Sequence, residues 1–240
     1  MITFEENPPI DFGAGQIIDD EYDSNTYGYM LVSAVANEQV KDFAVIFDSD
    51  NPTGNDPDLA TPGTLGNAAA DSLHNLLIIQ TNTGGLAAVG NHINIDPNDH
   101  ADGGTITFTW AVPVFDFFFT FVDMEDEEIS ESSIQFFTSA ADVVPFAELP
   151  FALFDGVSGI DYGENSVNLF SLADVNLALA SETGGVGPFY SRKITFNLSS
   201  SGAIGSIGYN AVPEPGAVVL FGTGLLALAA VARRRSARRT

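Results

Sequence analysis

Thr105-Ile106-Thr107-Phe108-Thr109-Trp110, followed closely by the apolar run Val114 to Val122, decides the fold. In an extended chain the first six residues alternate polar and apolar, placing Ile106, Phe108 and Trp110 on one face. Lys193-Ile194-Thr195-Phe196-Asn197-Leu198 repeats the pattern, with Ile194, Phe196 and Leu198 inward. Other runs are short and nearly continuous in apolar residues: Phe43 to Phe47, Leu76 to Ile79 and Ile134 to Phe137. Such runs suit central strands of a sandwich, buried on one side and crowded by aromatics on the other. Turn residues separate them at Asn51-Pro52, Pro62-Gly63, Gly84-Gly85, Asp102-Gly103-Gly104 and Gly184-Gly185. A helical pattern in this region is confined to Val167 to Leu179, which also reads as strand. These features predict an all-β, jelly-roll-like antiparallel β-sandwich over residues 1–210.

Composition bounds what such a domain can do. The chain has 240 residues, 45% of them hydrophobic, with 19 Phe, so a sizeable core is available. Its 32 acidic side chains face 8 basic ones, and five of the latter, Arg233, Arg234, Arg235, Arg238 and Arg239, lie near the C-terminus. Up to Val212 there remain 31 acids against Lys41, Arg192 and Lys193, a formal charge of −28. A surface of that sign repels phosphate backbones and argues against nucleic-acid binding. It also calls for cations or salt to offset self-repulsion. With no cysteine in the chain, disulfides, thiol catalysis, iron–sulfur clusters and zinc–thiolate sites are excluded.

The chemistry-bearing clusters are acidic. Asp48 to Asp58 packs Asp48, Asp50, Asn51, Asp56 and Asp58 onto a loop broken by Pro and Gly, the kind of hard-oxygen set that calcium takes. It is not an EF-hand, because its fifth position is Pro52 and its twelfth Leu59. The competing reading is an ion-free acidic turn. Asp123, at the end of the Phe-rich strand, is expected beside this loop as a further ligand, or else as a charge guarding an edge. His92 to Asp102 holds two of the three histidines; imidazoles with carboxylates can bind zinc or iron, but Pro97 breaks any helical arrangement, so an exposed loop is expected. Tyr22, Tyr27, Tyr29, Tyr162, Tyr190 and Tyr209 are candidates for a carbohydrate-stacking surface, with Trp110 assigned to the core. No Gly-x-Ser-x-Gly, His-Glu-x-x-His or phosphate loop occurs, so no catalytic residue is expected.

After Val212 the sequence changes character. Pro213-Glu214-Pro215 precedes 17 residues without a charge, 216–232, and then Arg233-Arg234-Arg235 in a basic tail reaching 239. At ~1.5 Å per residue such a helix would reach roughly 25 Å, close to the ~30 Å of a hydrocarbon core. The prolines bar an earlier helix start and the arginines place the far end on the cytoplasmic side. A single C-terminal transmembrane helix at 216–232 is therefore expected, within a segment 211–240.

These ordered features resemble the PEP-CTERM sorting signal of Gram-negative bacteria, a tail also described as an ice-binding-protein C-terminal motif. The resemblance covers about 28 residues. It implies export, passing anchorage in the inner membrane, and recognition of Pro213, Glu214 and Pro215 by an exosortase-type transpeptidase. It further implies a final place at the cell surface or in an extracellular matrix or biofilm rich in polysaccharide. Met1 to Glu6 shows neither a basic nor an apolar leader region, and Ile2-Thr3-Phe4-Glu5 reads like a first mature strand, so a signal peptide is expected upstream. The combined expectation is an exported, non-enzymatic surface protein stabilised by calcium (Ca2+). A carbohydrate-binding module and a secreted hydrolase are its alternatives.

Overall fold

The computed structural model describes residues 1–4, 6–7, 10–11, 13–37, 43–53, 56–81, 88–89, 92–93, 96–125 and 128–212. Short β1 (Glu6–Asn7) pairs with β2 (Ile10–Asp11); then come β3 (Met30–Ala36), β4 (Ala44–Asp48) and β5 (Asn75–Ile79). A second small hairpin joins β6 (Ala88–Val89) to β7 (His92–Ile93). The principal strand, β8, runs without a break from Gly104 to Met124. After it come β9 (Ser133–Phe137), β10 (Ala147–Pro150), β11 (Gly163–Phe170), α1 (Leu172–Thr183), β12 (Ser191–Leu198) and β13 (Ala203–Ala211).

All strand pairing among these elements is antiparallel, and β8 belongs to both layers of the sandwich. Its first half lies between β3, with Met30 opposite Trp110, and β12, with Leu198 opposite Gly104. Strands β9 and β10 extend that layer. The second half of β8 lies between β11, with Phe170 opposite Phe119, and β13, with Ala203 opposite Val122 and Ala211 opposite Val114. Strands β5 and β4 extend that layer.

The crossing is built by irregularity. Between Ser191 opposite Val114 and Lys193 opposite Thr109, the single residue Arg192 spans Trp110 to Pro113. Pro113 donates no ladder hydrogen bond and suits such a break. Against β13 an extra residue is absorbed at Asp116, whose φ of 58° marks a bulge that bends the strand. Both expected strands, 105–110 and 114–122, are thus two arms of one bent strand. Its two ends return to one pole of the molecule, where Gly103 N–H donates to the His100 carbonyl (2.8 Å) and Gly202 N–H to Asp99 Oδ2 (3.0 Å).

Between the layers lies a Phe-rich core in which Ile106, Phe108, Trp110, Ile194, Phe196 and Leu198 are all buried, as the alternation requires. Phe119 stacks on Phe170 at 4.7 Å between ring centres, and Phe151 meets Phe121 edge-on at 5.1 Å. A second cluster, including Val45, Phe47, Leu59, Leu76, Ile78, Val122 and Val167, lies apart from this one. Alternate residues of β4 and β5 therefore enter different cores, which explains their unbroken apolar runs.

The region 167–179, open between helix and strand in the sequence, is divided by Ser171. Val167 to Phe170 completes β11, and Ser171 caps α1 in a capping box with Asp174. Sheet edges are guarded. Segment 15–18 hydrogen-bonds along β4, 64–68 along β11, and Asp19 and Tyr22 carbonyls accept from β3, while β10 is short, preceded by Pro145 and ended by Pro150. The expected membrane helix 216–232 lies outside the described residues; among those described, no helix is long and apolar enough to cross a membrane.

Candidate functional site

The pole where both ends of β8 meet gathers carboxylates from three separate stretches. Leu59, fully buried in the second core cluster, pins a 3-10 turn, Pro57–Leu59, onto the sheet. That anchor brings Asp56, the residue preceding the turn, and Asp58 within it to the pole. Asp99 arrives from the strand-like segment that bridges to Gln80. Asp123 closes β8 with a left-handed φ of 58°, a conformation Asp tolerates better than most residues.

The contacts are specific. Asp56 Oδ2 accepts the Asp99 N–H at 3.1 Å, and Asp99 Oδ2 in turn accepts the Gly202 N–H. Asp123 Oδ1 accepts the Asn165 N–H at 3.0 Å, and Ser201 Oγ donates to Asp123 Oδ2 at 3.4 Å. Asn165, itself at φ 56°, donates through Nδ2 to the carbonyls of Asp58 (3.0 Å) and Ala60 (2.7 Å). This one side chain ties the acidic loop to the end of β8.

Burial makes the assembly electrostatically costly. Asp99 and Asp123 are only 7% and 3% exposed. Burial first, and then the Asp56 carboxylate with Asp58 and Asp123 behind it, pushes Asp99 up to about 8. Burial, followed by Asp58 and Glu125, pushes Asp123 up to about 6 against the hydrogen bond from Asn165. Asp56 is raised as well, by burial and by Asp58, with the Asp99 hydrogen bonds opposing. A site of this kind holds protons or attracts a cation.

The loop 48–58 is split by the structure. Asp48 Oδ1 accepts the Asp50 N–H at 3.0 Å, making a local turn. Asp50 accepts from Ser72 Oγ (2.5 Å) and meets His74 Nδ1 (2.5 Å), hydrogen bonds that lower its pKa. Asn51 is exposed. The Asp48, Asp50 and Asn51 half is thus occupied with its own turn, whereas Asp56 meets Asp99 directly and Asp58 acts electrostatically on both Asp99 and Asp123.

The exposed loop expected over 92–102 is corrected at Asp99 and His100, which are both buried, and His100 Nδ1 accepts the Asp102 N–H at 3.2 Å. Asp99 was not singled out from the sequence as a partner of the 48–58 loop, because 40 residues separate them. Asn165 carried no sequence signal at all. Elsewhere, Asp19, Asp20 and Glu21 bring one carboxylate oxygen each within 4.8 Å of one another on a largely exposed turn. Of the aromatics, Trp110, Tyr22 and Tyr162 are buried, Tyr27 and Tyr209 are partly buried, and Tyr29 and Tyr190 are exposed.

At the opposite pole the chain leaves the sandwich. Val212 N–H donates to the Pro113 carbonyl at 2.9 Å, so hydrogen-bonded structure reaches the residue before Pro213. Pro213, Glu214, Pro215 and Arg233 to Arg235 lie outside the described residues. Residues 211–235 match a family described as the PEP-CTERM protein-sorting motif. This agrees with the resemblance seen in the tail and supports an exported protein sorted by exosortase in association with the membrane. A search of curated proteins finds no match to the chain.

Proposed function

We propose that this chain is an exported, non-enzymatic protein of the cell surface or extracellular matrix, whose β-sandwich is stabilised by calcium at the Asp56–Asp58–Asp99–Asp123 pole. One observation carries the calcium reading. The fold itself, through Leu59, Asn165 and Gly202, brings Asp56 against Asp99 and sets Asp58 and Asp123 near enough to act on Asp99 electrostatically in a partly desolvated setting. Crowding of this kind is unfavourable unless protons or a divalent cation compensate it. Calcium suits the donors, which are carboxylates, hard oxygen ligands of the kind this ion takes. Asp48, Asp50 and Asn51 would act on the loop's shape instead of as ligands.

In this reading the sorting tail delivers the domain, with an exosortase-type transpeptidase as processing partner and the inner membrane as a way-station. Extracellular polysaccharide is the neighbour that such a destination offers. The acidic pole supports a structural role there, because a cation-filled rigid end needs no catalytic group. The test is a thermal melt of the chelator-treated protein with and without added calcium. A calcium-dependent rise in Tm, abolished by Asp123→Asn, is expected; identical melting curves would remove calcium from the reading. A glycan array probed with the purified sandwich separates this proposal from a carbohydrate-binding module, since specific capture of one glycan class would favour the latter.

A further inference from the structure

The sandwich has two chemically different poles, and its exported tail leaves from one of them. Strand β13 runs from Ala203, beside the acidic pole, to Ala211, where the chain exits. At ~3.3 Å per residue the two poles stand roughly 26 Å apart. Only residues 213–215 separate Val212 from the 17-residue uncharged span, and three residues reach about 11 Å at most. With that span in a bilayer, the exit pole has no choice but to lie at the bilayer surface.

The groups displayed there suit that position. Tyr29 is 36% exposed and held at a φ of 55°, a strained conformation for a bulky residue, with its carbonyl accepting the Ala111 N–H. Tyr190 is 47% exposed, and its ring packs on half-buried Phe115 at 5.4 Å between centres. Val186, on the loop that leads to Tyr190, is 98% exposed. Arg192, one of three basic residues before the tail, sits beside the bend of β8. Asp116, the acid within the bend, is engaged by Asn210 Nδ2 at 3.0 Å. Tyrosines beside a membrane-entering segment are the residues that settle at the headgroup level, with an apolar ring and a polar tip.

We infer that the exit pole is a membrane-docking surface, on which Tyr29, Tyr190 with Phe115, and Val186 rest in the interfacial layer of the bilayer that the intact tail enters. The acidic pole then points away from the lipid. This rests on the membrane reading of the tail and adds an orientation to it.

The full chain has no cysteine, so single labels can be placed cleanly. Val186→Cys and Ser200→Cys, labelled with one fluorophore, are reconstituted as full chains into phosphatidylcholine vesicles carrying a headgroup nitroxide. Quenching several-fold stronger at position 186 than at 200 is expected. Adding Tyr29→Ser and Tyr190→Ser should lower the quenching at 186 while Tm stays near that of the parent. Equal quenching at both positions in protein that floats with the vesicles would overturn the orientation alone. Quenching at 186 indifferent to the tyrosine changes would show a tether without a docking surface. Full chain that does not float with vesicles would overturn the membrane reading and this inference with it.

Discussion

At the residue scale, Asp99 concentrates the unusual chemistry. Its carboxyl is raised in the folded state to about 8, by burial and by Asp56, whereas in an unfolded chain it titrates near ~3.9. The folded state therefore binds a proton that the unfolded state releases. The associated stability is fully present below about pH 4 and is lost progressively as pH rises toward about 8. In chelator-treated protein, Tm should fall across this window, and Asp99→Asn should flatten the fall and raise Tm at pH 8. The same substitution should weaken the calcium response, because it removes a candidate ligand charge. Melts of both proteins at pH 5 and 8, with chelator and with calcium, check both outcomes. A wild-type Tm that climbs between pH 5 and 8 in chelator would contradict the assignment.

At the element scale, the acidic loop depends on one apolar anchor. Leu59 is fully buried among Val45, Phe47, Leu76 and Val167 in the second core cluster. Leu59→Ala should cost about 2–5 kcal/mol by the usual measure of a buried leucine. It should also blunt the calcium-induced rise in Tm, since Asp56 and Asp58 ride on the same turn. Denaturant unfolding with and without calcium measures the two effects separately. Helix α1 is a simpler case. Ser171 accepts the Asp174 N–H and Asp174 answers to the Ser171 N–H, so Ser171→Ala should cost about 1 kcal/mol and leave the calcium response intact. Because α1 supplies no group to the acidic pole and is anchored in the main core by Val175 and Leu179, it serves as a control for general destabilisation.

At the scale of the whole molecule, the dominant quantity is charge. A body with formal charge −28 repels itself over distances that salt controls, since the screening length falls from ~30 Å at 0.01 M to ~3 Å at 1 M. Raising sodium chloride over that range should therefore raise Tm in chelator. Calcium should add a further rise at concentrations too low to alter the screening. A salt titration followed by a calcium titration at fixed high salt distinguishes diffuse screening from a site. A Tm insensitive to salt would show that the acidic surface is already neutralised by other means.

The sequence by itself determined the class of fold and the sorting tail. Period-two alternation at 105–110 and 193–198 survives any tertiary context, because one side of a strand must meet the core. The order of prolines, uncharged span and arginines in the tail is likewise a local property of the chain. It also marked Asp56, Asp58 and Asp123 as candidates, on the density of oxygen donors and on a strand end. Only the tertiary structure decided that 105–110 and 114–122 are one strand bent between two layers, since the bulges at Trp110 to Pro113 and at Asp116 arise from pairing with β12 and β13. Pairing likewise decided which acids meet. Asp50 went to His74 and Ser72, while Asp99 and Asn165, distant along the chain, came to the pole where β8 begins and ends. Side chains brought together by strands that turn back leave no trace in local spacing, and that is why this half of the site was not legible beforehand.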